Sequence, residues 1–200
     1  MRFARYTKTL AIVAALPLLL LACSQPPAPP AATTAAPSPV ERGKYLVTIS
    51  VCDDCHSPKT FGPDGPAIDT ARRLSGHPAA DKLPAVPAGF FAPDKFGGVT
   101  TNDLTAWVGP WGTSYPANLT PDKTTGLGSW TEDMFIKALR SGKHQGEGRP
   151  ILPPMPWQNF SQMTDADLKA VWAYLQTLPP VQNAVPDPVP PVEAAFAPGK

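Results

Sequence analysis

The stretch Cys52-Asp53-Asp54-Cys55-His56 decides how this sequence is interpreted. Two cysteines stand three positions apart, and a histidine directly follows the second. Thiols at this spacing can add to the two vinyl groups on one edge of a haem, and the imidazole then falls beneath the iron as its proximal ligand. The stretch therefore predicts one covalently attached haem c, with Cys52 and Cys55 as the attachment points and His56 on the iron.

Two other uses of paired cysteines fit the sequence less well. A thioredoxin-like redox pair needs a strand before it and a helix that starts at the first cysteine. Here a helical pattern precedes Cys52, and a loop rich in Pro and Gly follows His56. A zinc site needs further Cys or His ligands at suitable spacing, and the one remaining cysteine, Cys23, lies far away near the N-terminus.

The first residues have the composition of an export signal. Three basic residues precede an apolar run from residue 10 to residue 21, which is too short to span a bilayer. The run ends in a stretch that resembles the lipobox of bacterial lipoproteins, Leu20-Leu21-Ala22-Cys23. We therefore expect a signal peptide at 1–22 and a lipid anchor on Cys23. The protein would face the periplasm of a Gram-negative bacterium, and Ser24 favours the outer membrane by analogy with bacterial sorting signals.

Proline content sets the expected domain limits. Residues 23–39 are almost only Pro, Ala, Ser and Thr, which is typical of an extended, lipidated tether. Residues 184–200 form a second Pro-rich segment, a tail that either lies along the domain or stays disordered. The stretch 40–183 between them is long enough for one domain. The formal net charge of +1 gives no basic stripe for nucleic-acid binding.

A helix is predicted immediately before the cysteines. Ser38 is a suitable N-cap, Pro39 suits the first helical position, and Glu41 completes a capping box. Gly43 has no side chain and would let another helix approach closely. Two later helices are predicted to begin after Thr131 and Thr164. The last one carries a buried stripe at helical spacing, Leu168, Val171, Trp172 and Leu175.

The iron needs a sixth ligand, and Met155 is the preferred candidate. It stands in the segment Ile151-Leu152-Pro153-Pro154-Met155-Pro156-Trp157, where three prolines restrict the backbone and can aim the thioether. Met163 is the next candidate and His144 the third. Met134 is interpreted as a packing residue inside a helix, and His77 as a surface residue in a loop.

The order of these features resembles class I cytochrome c. A helix, the C-x-x-C-H stretch, a Pro-rich Met loop and a terminal helix follow one another. Residues 118–181 more specifically resemble haem domains in the cytochrome subunits of membrane-bound alcohol and aldehyde dehydrogenases. The segments that carry this likeness are Asn118-Leu119-Thr120-Pro121-Asp122, Thr125-Gly126-Leu127-Gly128, Pro154-Met155-Pro156 and Asp165-x-Asp167-Leu168-x-Ala170. The resemblance implies an all-α, cytochrome c-like domain with Met155 as axial ligand. Those subunits have several C-x-x-C-H motifs and this chain has one, so a dehydrogenase partnership does not follow from the resemblance.

The segment 57–117 is longer than a small cytochrome requires. It is dense in Gly, Pro, Phe and Trp and has poor periodicity, so it is expected to be an irregular insertion between the haem motif and the later helices. Because aromatic-rich loops usually bury themselves, we expect a cap over the haem edge. A docking surface for a redox partner is the alternative.

The predicted function is single-electron transfer without enzymatic activity. A carrier needs a six-coordinate iron, and its partners would be redox proteins such as a dehydrogenase, an oxidase or another cytochrome. The alternative is a haem protein that binds a small ligand, peroxidase-like or gas-sensing, which needs a labile sixth position. The restricted backbone around Met155 favours the carrier.

Overall fold

The fold was analysed in a computed structural model, which describes residues 35–191 except 88, 92 and 93. The helices are α1 (Pro39–Ile49), α2 (Cys52–His56), α3 (Glu132–Ser141), α4 (Trp157–Phe160) and α5 (Asp165–Leu175). The strands are β1 (Lys59–Gly62), β2 (Gly65–Ile68), β3 (Val99–Thr100), β4 (Trp107–Gly109) and β5 (Gly112–Ser114). The predicted signal peptide and the lipid-bearing Cys23 lie outside the described residues. Within the described part of the chain, no helix has the length and apolar content needed to cross a membrane.

Helix α1 begins with the capping box that the sequence predicts. The Ser38 hydroxyl accepts a hydrogen bond from the Glu41 backbone N–H at 3.3 Å, and the Glu41 carboxylate accepts one from the Ser38 N–H at 2.8 Å. Two backbone N–H groups that no helical carbonyl can reach are thereby satisfied. The start of the helix that leads to the cysteines is therefore fixed by local sequence.

Helices α1 and α5 cross at Gly43. A Cβ added to Gly43 would lie 1.9 Å from the carbonyl oxygen of Ala170 and 2.8 Å from the Tyr174 Cβ. Beside this crossing, Arg42 Nε donates a hydrogen bond to Asp167 Oδ1 at 2.8 Å. The predicted close approach of a second helix at Gly43 is confirmed, and the second helix is α5.

The hydrophobic core lies between α1, α3 and α5. Leu168 and Leu175 of α5 are almost fully buried, and Trp172 packs against Phe135 of α3 with ring centroids 5.5 Å apart. Cys52, Trp130, Met155 and Met163 are partly buried against the same cluster. The packing therefore brings the start of α2 and the Met155 segment to one core.

The expectation of an all-α fold is wrong, because the described chain also contains two antiparallel sheets. β1 pairs with β2, and β3, β4 and β5 pair in that order. The physical reason is the turn sequence Gly-Pro-x-Gly, which occurs at 62–65 and again at 109–112. Proline presets the first turn position, and the last glycine adopts φ +95° in both hairpins.

The Pro-rich segment after α5 lies along the domain as far as residue 191. Val189 forms an antiparallel bridge with Thr113, with reciprocal backbone hydrogen bonds of 2.8 and 3.0 Å. Asn183 donates to the carbonyls of Ser75 and His77, each at 2.8 Å, and its Oδ1 accepts from Ala79 N at 3.0 Å. This segment therefore ties the 57–117 segment to the helical part of the domain.

Candidate haem site

A sharp backbone turn at Val51 joins α1 to α2. Val51 has φ 50° and ψ 34°, the left-handed conformation that β-branched residues rarely adopt. Its side chain is 59% exposed, so packing of that side chain does not hold it there. The turn places Cys52 directly beneath the end of α1, where the thiol is partly buried against the core.

Cys52 and Cys55 are not joined by a disulfide, and each is only partly exposed. Burial, with the charge of Asp53 second, raises the pKa of Cys52 to about 11, and burial likewise raises the pKa of Cys55. A reactive redox thiol has a lowered pKa, so a thioredoxin-like pair is disfavoured. A thioredoxin-like pair would also follow a strand, whereas helix α1 precedes this motif.

The zinc alternative concerns metal-binding clusters. Residues 35–191, apart from 88, 92 and 93, contain no cluster of three or more His, Cys, Asp or Glu that could hold a metal ion.

The imidazole of His56 is buried and oriented. It is 9% exposed, and its Nδ1 lies 2.8 Å from the carbonyl oxygen of Ala117. A carbonyl only accepts, so Nδ1 carries the proton and the lone pair of Nε2 is left for a metal. Burial lowers the pKa of His56, while the Ala117 contact raises it. The lowering prevails and favours the neutral form that a metal ligand requires.

The first variable residue of the motif, Asp53, belongs to a network that joins three parts of the chain. Asp53 Oδ2 pairs with Arg73 Nη2 at 2.6 Å, and Arg73 Nη1 donates to the Tyr174 hydroxyl of α5 at 2.7 Å. Asp53 Oδ1 accepts from the Ser57 hydroxyl at 2.7 Å, and that hydroxyl accepts from Leu74 N at 2.8 Å. The network fixes α2 against the 57–117 segment and α5.

Lys59 closes the C-terminal end of α2. Its ammonium donates to the carbonyl oxygens of Asp53 at 3.1 Å and Ser57 at 2.7 Å, and also to that of Asp54. The Asp53 carbonyl also accepts a hydrogen bond from the Ser57 N–H at 3.2 Å. A positive charge is favourable at this end of a helix. Lys59, which lies outside the motif, therefore stabilises the end of the short helix that carries both cysteines.

The segment that supplies the Ala117 carbonyl is held by Asn118. The Asn118 side chain is 3% exposed and donates to Val181 O at 2.8 Å. Its Oδ1 accepts from the Thr120 N–H at 3.0 Å and the Thr120 hydroxyl at 2.7 Å. Sequence reasoning missed the support of His56 by Ala117, because the supporting atom belongs to the backbone and has no residue-type signal.

Met155 and Met163 are both partly buried against the core that contains Cys52. The Met155 segment is tied to β5, because the Ser114 hydroxyl donates to the Pro153 carbonyl. His144, the third candidate, packs edge-on against Trp130 with ring centroids 5.0 Å apart. Met155 as axial ligand therefore stays a prediction, which the fixed position of its loop supports.

The interpretation of His77 as a surface residue is wrong, since its side chain is 1% exposed.

The residues present fit a haem. Two unpaired thiols lie one helical turn apart, the imidazole that follows them presents a free Nε2, and methionines lie against the same apolar core. These groups supply vinyl attachment, an axial nitrogen and a thioether. They are the site features of a c-type cytochrome.

Comparison with known proteins agrees with this class. The chain is 32% identical over 177 residues to the fructose dehydrogenase cytochrome subunit of Gluconobacter japonicus, across 86% of this chain and 29% of the relative. It is 32% identical to the gluconate 2-dehydrogenase cytochrome c subunit of Pantoea cypripedii, across 74% of this chain and 25% of the relative. It is 30% identical to the cytochrome c subunit of the quinone alcohol dehydrogenase of Gluconobacter oxydans, across 74% of this chain and 24% of the relative. No family model matches the chain.

The site features of the chain and its similarity to these relatives are those of c-type cytochromes. Its homologues are the cytochrome c subunits of membrane-bound dehydrogenases, so the resemblance noted in the sequence is confirmed. The chain spans only about a quarter of the length of these relatives.

Proposed function

We propose that this protein carries single electrons through one haem c, bound to Cys52 and Cys55, with His56 and Met155 as the two axial ligands of the iron. It does so in the periplasm, anchored to the membrane by a lipid on Cys23. The observation that carries the proposal is the 2.8 Å contact of His56 Nδ1 with the Ala117 carbonyl, next to two unpaired thiols. A bound haem supplies an iron that accepts and releases one electron.

The residues around the site support a carrier better than a catalyst. His56 is held neutral by burial and oriented by a backbone carbonyl. Asp53, Arg73 and Lys59 hold α2 from its flank and its end. A site that keeps one geometry in both oxidation states needs little reorganisation when an electron arrives or leaves.

A dehydrogenase is the proposed electron donor. The relatives named above are cytochrome subunits of fructose, gluconate and alcohol dehydrogenases. A chain that corresponds to about a quarter of such a subunit would act as one link between a dehydrogenase and a later acceptor.

Carbon monoxide binding tests the closed sixth position. The reduced, haem-loaded chain is expected to change its absorption spectrum slowly and incompletely with carbon monoxide at neutral pH. Met155→Ala should bind it rapidly and lose the near-infrared sulfur-to-iron charge-transfer band of the oxidised protein. Met163→Ala is the matched control and should keep both properties. Rapid, complete carbon monoxide binding by the unaltered protein would contradict the proposed function as a carrier. Loss of the band only in Met163→Ala would show that Met163, not Met155, is the axial ligand.

A further inference from the structure

His77 is a buried histidine with one unpaired ring nitrogen, and it has no part in the site described above. Its side chain is 1% exposed, and the ring lies 4.8 Å from the ring of Tyr115. Nδ1 lies 2.9 Å from Thr105 Oγ1, whereas the buried Nε2 has no hydrogen-bond partner in the described part of the chain. Such an atom in a native structure calls for a functional or structural explanation.

The hydrogen bonds around Thr105 determine which nitrogen of His77 carries a proton. The Thr105 hydroxyl donates to Asp103 Oδ2 at 2.6 Å, because an ionised carboxylate only accepts. Its single proton is then used, so this hydroxyl accepts from His77 Nδ1–H. The Nε2 atom of neutral His77 is therefore a buried lone pair, and it is the atom at which a second proton would bind.

The groups that face His77 shift its pKa in opposite directions. Burial lowers the pKa of His77 overall, while the charges of Asp103 and Asp81 partly oppose that shift. Burial also acts on Asp103, but hydrogen bonds from threonines lower its pKa overall, so it stays ionised. Tyr115, whose pKa is raised by burial, is uncharged at neutral pH. From the described part of the C-terminal segment, the uncharged Asn183 amide donates to the His77 carbonyl.

His77 is joined to the support of His56 on two sides. Gly76 N, one residue before it, donates to the His56 carbonyl at 2.7 Å. His77 N donates to the Pro116 carbonyl at 3.1 Å, and the next carbonyl, that of Ala117, holds the His56 ring. A change of charge at the iron would reach His77 through protein rather than through bulk water, where charges are screened.

We propose that His77 is a proton-binding site coupled to the haem. When the iron gains one electron from a redox partner, one proton from solvent forms an N–H bond at His77 Nε2, and oxidation releases that proton. The electron stays on the iron, and no bond within the chain breaks. This inference rests on the proposed function, because it needs a haem held by His56.

The test is the reduction potential of the haem-loaded full chain, measured from pH 5 to pH 9. The potential is expected to fall as pH rises within this range, since the reduced form binds the proton more tightly. A tenfold difference in proton affinity between the two oxidation states corresponds to a total change of about 59 mV. His77→Gln should remove the pH-dependent fall. His144→Gln is the matched control among the three histidines of the chain, and it should keep the fall.

Thr105→Val keeps the inference testable if His77→Gln does not fold. Without the hydroxyl that links the ring to Asp103, the protonated form is less stable, so the fall should occur at lower pH. Proton NMR of the His77 ring should give a higher titration midpoint in the reduced protein than in the oxidised one. The coupling would be overturned by equal midpoints in the two oxidation states or by a potential that does not vary with pH. It would also be overturned if His77→Gln kept the fall, or if Thr105→Val showed the fall at an unchanged pH. Reversible one-electron reduction at a single pH tests the proposed function separately.

Discussion

Nδ1 of His56 lies 2.8 Å from the carbonyl oxygen of Ala117, a residue 61 positions further along the chain. The segment between them includes both hairpins and a turn around His77. Its two ends therefore meet at the imidazole that we propose as an axial ligand of the iron. The geometry of the site depends on how firmly residues 117–120 are held.

Asn118→Ala should weaken that support. Asn118 donates to the Val181 carbonyl and accepts from the Thr120 N–H, and its removal leaves buried partners unsatisfied. We expect a loss of about 2 kcal/mol in the free energy of unfolding, measured by urea denaturation of the haem-loaded chain. The exposed Asn102→Ala is the control and should change stability by less than about 0.5 kcal/mol. Equal effects of the two changes would contradict the role of Asn118.

Gly43→Ala should disrupt the crossing of α1 and α5. The new Cβ would lie 1.9 Å from the Ala170 carbonyl oxygen, so the helices must separate. We expect a loss of about 3 kcal/mol or more, at the upper end of what overpacking costs. Thermal unfolding measures it.

Gly62→Ala provides the control for this prediction. The same Cβ built on Gly62 meets nothing within 4 Å, so stability should change by no more than about 0.5 kcal/mol. If Gly43→Ala were as stable as Gly62→Ala, the close helix crossing would be wrong.

Lysine at position 73 should not restore the stabilising contacts of Arg73. The guanidinium uses Nη2 for Asp53 and Nη1 for the Tyr174 hydroxyl, two directions that one ammonium cannot reproduce. Because the pair is partly exposed, we expect Arg73→Ala to cost only about 2 kcal/mol and Arg73→Lys to recover little of it. Urea unfolding of both variants gives the comparison. Full recovery by lysine would show that charge alone matters.

Val51→Asn should stabilise the turn between α1 and α2. Asparagine tolerates the left-handed conformation that Val51 adopts with φ 50°, whereas a β-branched side chain is strained there. We expect a gain of about 1 kcal/mol in the free energy of unfolding. Val40→Asn, at an exposed helical position, is the control and should give no gain. A loss of stability in Val51→Asn would contradict the strain at this turn.

Local signals predicted the elements that surround the cysteines. The capping box at Ser38, the missing side chain at Gly43 and the apolar stripe of the last helix are short-range patterns with one physical reading each. The capping box and the close approach at Gly43 are present in the structure. Of the predicted stripe, Leu168 and Leu175 are buried, whereas Val171 and Trp172 are only partly buried. The C-x-x-C-H stretch likewise indicated the class of protein that the chain resembles, since its homologues are cytochrome c subunits.

The 57–117 segment was harder to predict, for two reasons. The repeated Gly-Pro-x-Gly turns were available as a hairpin signal, but the strands they join have only three or four residues and little alternation. The burial of His77 depends on Thr105, Tyr115 and Asn183, which reach it from distant parts of the chain. No local pattern contains such contacts.

The mass of the tryptic peptide 45–59, which contains both cysteines, tests the central claim most directly. The full chain would be produced in a host that attaches haem to c-type cytochromes and then denatured before digestion. The peptide is expected to carry the added mass of one haem, and a variant with both Cys52→Ser and Cys55→Ser should carry none. A peptide without added mass, or one that has lost two hydrogens through a Cys52–Cys55 disulfide, would contradict covalent haem attachment.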